Sequence, residues 1–311
     1  MPELVKAPFY SDLAGVPPDG TIVWRKASDG VRLRIGAWKG GTKGTFYVLS
    51  GRSEYLEKYG PTFQRLLDLG YSVVSCDWRG QGLSERLDAD KKLGHVRKFE
   101  DYQKDMAAMM QLAADLRLPR TRYILAHSMG GAIALRGIYE SLIVKKVIFT
   151  APFWDAYLSS GLRAYANVVT AIAPSIGFAG TRTPTTFAEA YVERAPFIGN
   201  PLTNDPDNYA WLQKHAAKHP ELVVGGPSLG WLKEALDEVR FFQSVSMDLP
   251  DCLCFVGTNE HIVSPKAIKR MMKRWKNGEL VEIPGAQHEL LLETPEVQDL
   301  IWSKIAEFLN G

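Results

Sequence analysis

The sequence predicts an α/β fold: a mostly parallel, eight-stranded sheet covered by helices on both faces, with one helical segment inserted between two core strands. Two observations carry this prediction. From Ser72 onward, short apolar strands alternate with helix-length segments, the pattern of a sheet buried on both sides. Between Ala151 and Phe242 the alternation stops, and a stretch rich in Pro, Gly and aromatic residues carries helical patches but no strand pattern. A structureless loop of that length does not suit a compact domain, so residues 151–242 are expected to form a helical cap on a core made of 1–150 and 243–311.

The elements follow in order. Thr21 to Ala27 and Val31 to Trp38 alternate apolar and polar residues around Asp29-Gly30, a dipeptide that supplies the positive φ of a tight hairpin turn. Thr45 to Leu49 reads as a third strand, and Pro61 to Leu69 as a helix with Pro in its first turn and Gly70 beyond its end. The first half is completed by the strand Ser72 to Cys76, a helix from Phe99 to Leu116, the strand Tyr123 to Leu125, a helix from Met129 to Tyr139 and the strand Lys146 to Thr150. Within the insertion, Ala188 to Arg194 and Tyr209 to Lys218 have helical character. The strand Cys252 to Val256, the helix Pro265 to Trp275, the strand Leu280 to Ile283 and the helix Pro295 to Leu309 then resume the alternation.

Composition narrows the function classes. The chain of 311 residues is 46% apolar and 23% charged, ordinary for a globular protein. Its 37 basic and 35 acidic residues leave a net charge of +2, which gives no field to concentrate a polyanion, so no nucleic-acid partner is expected. Cys76, Cys252 and Cys254 are too few for a disulfide framework and suit a reducing compartment. Cys252 and Cys254 flank Leu253 and are expected on one face of a buried strand rather than around a metal. Met1 to Leu13 lacks the apolar core of a secretory signal, and no stretch reaches the roughly 18 apolar residues that cross a bilayer. A cytoplasmic location follows as the expectation, with room for peripheral contact with the inner face of a membrane. The oligomeric state is not legible.

The chemistry centres on one turn. Tyr123-Ile-Leu runs into Ala126-His127-Ser128-Met129-Gly130-Gly131 and then a helix, the strand–turn–helix context that exposes a nucleophilic serine above a sheet. So sharp a turn brings backbone segments together, so the positions two before and two after Ser128 must be small; they are Ala126 and Gly130. The turn aims the Met129 backbone N–H, at a helix N-terminus, toward a developing oxyanion. Taken alone, Ser128 could equally be a helix cap. The order of residues further along decides between the two readings. His288 follows the strand Leu280 to Ile283 through Pro284-Gly-Ala-Gln and precedes the final helix, where a general base belongs. Glu260, after the strand Cys252 to Val256, stands where a carboxylate can accept the His288 Nδ1–H and fix its tautomer; Asp155 is the alternative. His261 lies too near Glu260 in sequence to serve as the base and is expected to be structural. His215 and His219, at i and i+4, read as a solvated helix face rather than a metal pair, because no further ligand lies nearby.

These residues resemble a known group, the serine α/β-hydrolases that include monoacylglycerol lipases and bacterial lysophospholipases, and the likeness runs from about Ile22 to the C-terminus. Ser50-Gly51-Arg52-Ser53-Glu54 with Tyr59-Gly60 is similar to that group's oxyanion loop, with Ser50 where the group usually has His. Asp77-Trp-Arg-Gly-Gln-Gly-Leu-Ser84 resembles its Asp-x-Arg-Gly-x-Gly-x-Ser segment. Asn200-Pro-Leu-Thr-Asn-Asp205-Pro and Gly225-Gly-Pro-Ser-Leu-Gly-Trp231 are similar to the cap of the lysophospholipase branch. The resemblance implies the α/β-hydrolase fold, a backbone oxyanion donor at Arg52, no metal or organic cofactor, and hydrolysis of a lipid-like ester (lysophospholipid or monoacylglycerol) through an acyl-enzyme. The rivals are an esterase or thioesterase for small non-lipid substrates and a non-catalytic binding protein that keeps the fold. Phe153, Trp154, Tyr157, Tyr165, Phe178, Phe187, Tyr191 and Phe197 in the cap are expected mostly to pack on the core, with a few lining an acyl pocket. Arg163, Arg182 and Arg194 are candidates to meet a phosphate.

Overall fold

The computed structural model describes residues 4–15, 19–244 and 249–311; Met1 to Glu3, where the segment read as lacking a secretory signal begins, lie outside them. The strands, in chain order, are β1 (Val5–Lys6), β2 (Thr21–Lys26), β3 (Arg32–Trp38), β4 (Thr45–Leu49), β5 (Ser72–Cys76), β6 (Arg122–His127), β7 (Lys146–Thr150), β8 (Asp251–Gly257) and β9 (Gly278–Ile283). They form one sheet in the order β1-β2-β3-β5-β4-β6-β7-β8-β9. The strands from β4 to β9 pair in parallel, and β1, β2 and β3 join antiparallel at one edge. The sheet thus has nine strands among the described residues, one more than the sequence suggests. The extra strand, β1, is two residues long and both are exposed, so no apolar alternation marks it.

The helices are α1 (Ser11–Ala14), α2 (Gly60–Asp68), α3 (Tyr102–Asp115), α4 (Met129–Tyr139), α5 (Ser160–Ile172), α6 (Tyr191–Arg194), α7 (Pro206–Lys218), α8 (Leu229–Ser244), α9 (Pro265–Met272) and α10 (Pro295–Asn310). The hairpin forms as expected: Gly30 adopts φ 88° and its N–H donates to Ala27 O at 2.9 Å. β4, β5 and β7 are buried along their whole length, which is why their sequences are nearly continuous apolar runs. Cys252 and Cys254 lie buried in β8 and are free thiols, as is Cys76 in β5. Burial pushes all three well above the ordinary thiol value, so they are inert packing residues.

α5, α6, α7 and α8 all fall between β7 and β8, so the chain leaves the sheet at Thr150 and returns at Asp251. Helices α5 and α8 were not among the patches singled out from sequence, and the patch Ala188 to Arg194 shrinks to the four residues of α6. The cap aromatics also depart from expectation. Trp154 is buried, but Tyr157, Tyr165, Phe178, Phe187 and Tyr191 are exposed. The pair His215 and His219, on α7 and at its C-cap, is not solvated as expected: His215 is fully buried with Nε2 3.2 Å from Leu13 O, and His219 stacks on Tyr10 at 3.6 Å. The N-terminal segment covers that helix face, a contact too distant in sequence for helical periodicity to register.

Candidate active site

The loops that follow the carboxyl ends of β4, β6, β8 and β9 converge at one edge of the sheet, the place where open α/β sheets hold their ligands. Ser128 follows β6 and caps α4 with φ 50° and ψ −118°, a backbone geometry that any L-residue adopts only under strain. The turn is enforced from both sides. Ser128 N–H donates to Thr150 O at 3.1 Å, and a Cβ on Gly130 would stand 2.1 Å from Leu49 O. Gly130 therefore has to be glycine, whereas Ala126, fully buried, is accommodated.

Ser128 Oγ lies 3.0 Å from His288 Nε2, and His288 Nδ1 lies 2.7 Å from Glu260 Oε2. Glu260 Oε1 accepts the backbone N–H groups of Ile262 (2.6 Å) and Val263 (3.1 Å), which fixes the carboxylate before the histidine reaches it. Burial works to raise the Glu260 carboxyl, but the facing imidazole and these two N–H groups outweigh it and hold it below the ordinary carboxylate value. Asp155 is turned elsewhere, ion-paired to Arg163 at 2.9 Å. His261 is exposed and contacts Asn259 Oδ1 at 3.0 Å.

The loop after β4 faces the serine. Gly51 N–H donates to Glu54 Oε2 and Ser53 N–H to Gln81 Oε1, so the N–H groups on either side of Arg52 are occupied. Among the described residues, neither the Arg52 nor the Met129 backbone N–H has an acceptor. Ser50 is buried with its Oγ unpartnered, while its carbonyl accepts Trp78 Nε1 at 3.0 Å; the Asp77–Ser84 segment thus supports the loop from beneath at Ser50 and at Ser53.

Sequence reasoning missed a buried cluster behind these loops. Lys58 Nζ lies 2.5 Å from Glu54 Oε1 and 2.7 Å from Glu289 Oε2. His127 Nε2 stands 3.7 Å from Glu54 and 3.5 Å from Glu289, and its ring packs 4.8 Å from that of His288. Glu54, His127 and Glu289 could in principle ligate a metal. The Lys58 ammonium already occupies the position between the two carboxylates, so the donor set is that of a closed ion cluster. Burial alone would push His127 down, but Glu289 and Glu54 raise it above the ordinary imidazole value. The signal was there in part, since Glu54 belongs to the oxyanion-loop stretch and His127 and Glu289 each neighbour an expected catalytic residue.

The two cap stretches singled out by resemblance touch this machinery. His288 N–H donates to Pro201 O (3.3 Å) and Glu289 N–H to Leu202 O (2.7 Å), so Asn200–Pro206 props the histidine loop. Gly225 O accepts the Arg52 guanidinium, its Nη1 at 3.0 Å, and a Cβ on Gly225 would stand 2.2 Å from Ala188 O. Between this strip and the loop after β4 lies a cavity of about 510 Å³, with Arg52, Tyr55, Phe187, Tyr191 and Val224 on its wall. Glu289, the residue after His288, also lines it, whereas Ser128, Glu260 and His288 do not.

Comparison with known proteins agrees with this architecture. Residues 40–295 match the family model described as serine aminopeptidase, S33. The chain is 30% identical over 272 residues to lysophospholipase L2 of Escherichia coli (strain K12), covering 85% of this chain and 79% of that protein. It is 27% identical over 267 residues to the probable lysophospholipase L2 of Haemophilus influenzae, covering 85% and 82%. Among solved structures, a soluble variant of monoglyceride lipase from Saccharomyces cerevisiae superposes with TM-score 0.74 at 17% identity over 98% of each chain, a likeness of fold. The chain belongs to the Hydrolase_4 family (serine aminopeptidase, S33) of serine α/β-hydrolases.

Proposed function

We propose that the protein hydrolyses lipid-like carboxylic esters, lysophospholipids or monoacylglycerols, through an acyl-enzyme on Ser128. The observation that carries this reading is the hydrogen-bonded line Ser128–His288–Glu260, together with the Arg52 and Met129 backbone N–H groups, which have no acceptor among the described residues. His288 Nε2 takes the Ser128 proton as Oγ attacks the ester carbonyl, and the Arg52 and Met129 N–H groups hold the resulting oxyanion. Collapse expels the alcohol, which receives the proton from His288. Water then enters by the same route and releases the fatty acid. Glu260 keeps Nδ1–H in place and stabilises the imidazolium without taking its proton.

Lipid substrates are favoured over peptides by the relatives named lysophospholipase, and by the apolar wall that Tyr55, Phe187, Tyr191 and Val224 give the adjoining cavity. In this reading residues 151–242 act as the cap that shapes the acyl pocket. We further infer a cytoplasmic enzyme that seats on the inner face of a membrane. α5 supports this: Leu162, Tyr165, Val168 and Ile172 recur at helical spacing and are all exposed, and Arg163 is the helix's one charged residue. No helix among the described residues is long and apolar enough to cross a membrane.

The test is kcat/KM against acyl length from C2 to C16 on one head group. Each CH₂ buried adds about 0.8 kcal/mol, so four more raise kcat/KM by roughly two orders of magnitude. A maximum at C2 to C4 would mean a small closed pocket and an esterase for short non-lipid esters.

A further inference from the structure

The side chain of Arg52 is a cation without a carboxylate partner on the wall of the cavity beside the loop after β4. Its backbone belongs to the loop after β4, and its guanidinium lies on the wall of the cavity. There it donates to Gly225 O and lies over the Trp231 ring at 5.4 Å. No carboxylate pairs with it among the described residues, in contrast to Arg163 and Arg182. Arg163 is held by Asp155 (2.9 Å) and Arg182 by Asp90 (2.5 Å), while Arg194, also on the cavity wall, lies over the Phe187 ring at 3.3 Å.

A half-buried guanidinium without an anion is costly, and the strain shows in its titration. Burial pushes it down to about 10, and the nearby Arg182 adds to the effect. The one carbonyl it has found offers a dipole and no charge, and it engages only the two Nη groups. A guanidinium presents a planar fork that matches phosphate oxygens in two parallel hydrogen bonds. Glu54 and Glu289, on the same cavity wall, are both bound to Lys58, and Glu189 on that wall forms no ion pair with Arg52.

We propose that the Arg52 side chain is the receptor for the phosphate of a glycerophospho head group, so that one residue serves the scissile carbonyl with its backbone and the leaving alcohol with its guanidinium. The proposal rests on the ester-hydrolase reading above and deepens it: it selects lysophospholipid over monoacylglycerol. In that substrate the phosphate is separated from the scissile ester oxygen by the three carbons of glycerol, so one ligand carries both groups. A neutral monoacylglycerol leaves the guanidinium with Gly225 alone.

Two measurements test it. The first compares kcat/KM on a lysophosphatidylcholine and on the monoacylglycerol of the same acyl chain. Arg52→Met lowers the ratio of the two by on the order of 30-fold, chiefly through KM for the phospholipid, and Arg52→Lys, which keeps the charge but not the fork, restores only part of it. An equal loss on both substrates would mean that Arg52 only ties its loop to the cap strip, and would overturn the proposal. The second needs no turnover and no Arg52 variant. Calorimetry on the Ser128→Ala protein should show binding of glycerophosphocholine, tighter than inorganic phosphate and far tighter than glycerol. Glycerophosphocholine binding no better than glycerol overturns the proposal, and so does inorganic phosphate binding the tighter of the two anions. If no ester is hydrolysed but glycerophosphocholine binds and Arg52→Met abolishes that binding, the catalytic reading fails and the anion site stands.

Discussion

Lys58 and Glu289 are joined by a buried ion pair of 2.7 Å that ties the helical turn after the oxyanion loop to the residue next to His288. Glu54 completes the link, because it accepts both Lys58 Nζ and the Gly51 N–H. The loop that carries Arg52 and the loop that carries His288 are therefore held through one ammonium group. Burial works against the Lys58 charge, but Glu289 and Glu54 outweigh it and raise it above its ordinary value.

Lys58→Met leaves two buried carboxylates facing each other and should cost about 3–5 kcal/mol of stability. Adding Glu289→Gln should recover part of the loss, a coupling that a double-mutant cycle by urea unfolding reads directly. The pH dependence has a defined sign. Burial tends to raise Glu289, but Lys58 and His127 hold it well below the ordinary glutamate value of 4.5. Its contribution is thus complete above pH 4.5 and is lost as pH falls through its depressed native value. Glu289→Gln should flatten the acid limb of a plot of unfolding free energy against pH, and an unchanged limb would place the acid lability elsewhere.

Glu260→Gln should lower kcat by several orders of magnitude, since the loss of an orienting carboxylate costs about 10⁴ in a serine protease. Asp155→Asn should change kcat little, because Asp155 spends its carboxylate on Arg163. The reverse pattern in steady-state kinetics would transfer the role to Asp155.

The strain at Ser128 predicts a trade between stability and activity. Ser128→Gly removes the steric cost of φ 50° and should raise thermal stability by about 1 kcal/mol while abolishing turnover. Ser128→Ala keeps the Cβ and should leave stability near that of the parent. Equal melting temperatures for the glycine and alanine variants would mean that the turn stores no strain.

Replacing Leu162, Tyr165, Val168 and Ile172 together by serine should weaken binding to anionic vesicles and slow hydrolysis of vesicle-borne lysophospholipid. Hydrolysis of a water-soluble short-chain ester should change little. Parallel losses on both substrates would assign α5 to folding of the cap rather than to a lipid surface.

Where local physics sets the structure, the sequence reveals it. The Asp29-Gly30 turn, the buried runs of β4, β5 and β7, and the strand–turn–helix at Ser128 each follow from a few neighbouring residues. Ser128, Glu260 and His288, far apart in sequence, were chosen because each follows a strand, and parallel strands deliver their loops to one edge. What escaped depends on long-range contact. β1 is too short to show a pattern, His215 is buried by a segment from the other end of the chain, and Lys58 finds Glu289 across more than two hundred residues. The sequence motif at Arg52 concerns its backbone, and the position of its side chain, on Gly225 and Trp231, follows only from the fold.

The central claim is that Ser128 is an activated nucleophile. Incubation with a fluorophosphonate probe, followed by mass spectrometry of the digested protein, tests it most directly, because a serine without a base does not react on that timescale. The account predicts a single stoichiometric adduct on Ser128, lost in Ser128→Ala and slowed by orders of magnitude in a His288→Ala variant. Absence of an adduct on the folded protein, or an adduct on Ser128 that forms as fast without His288, would contradict it.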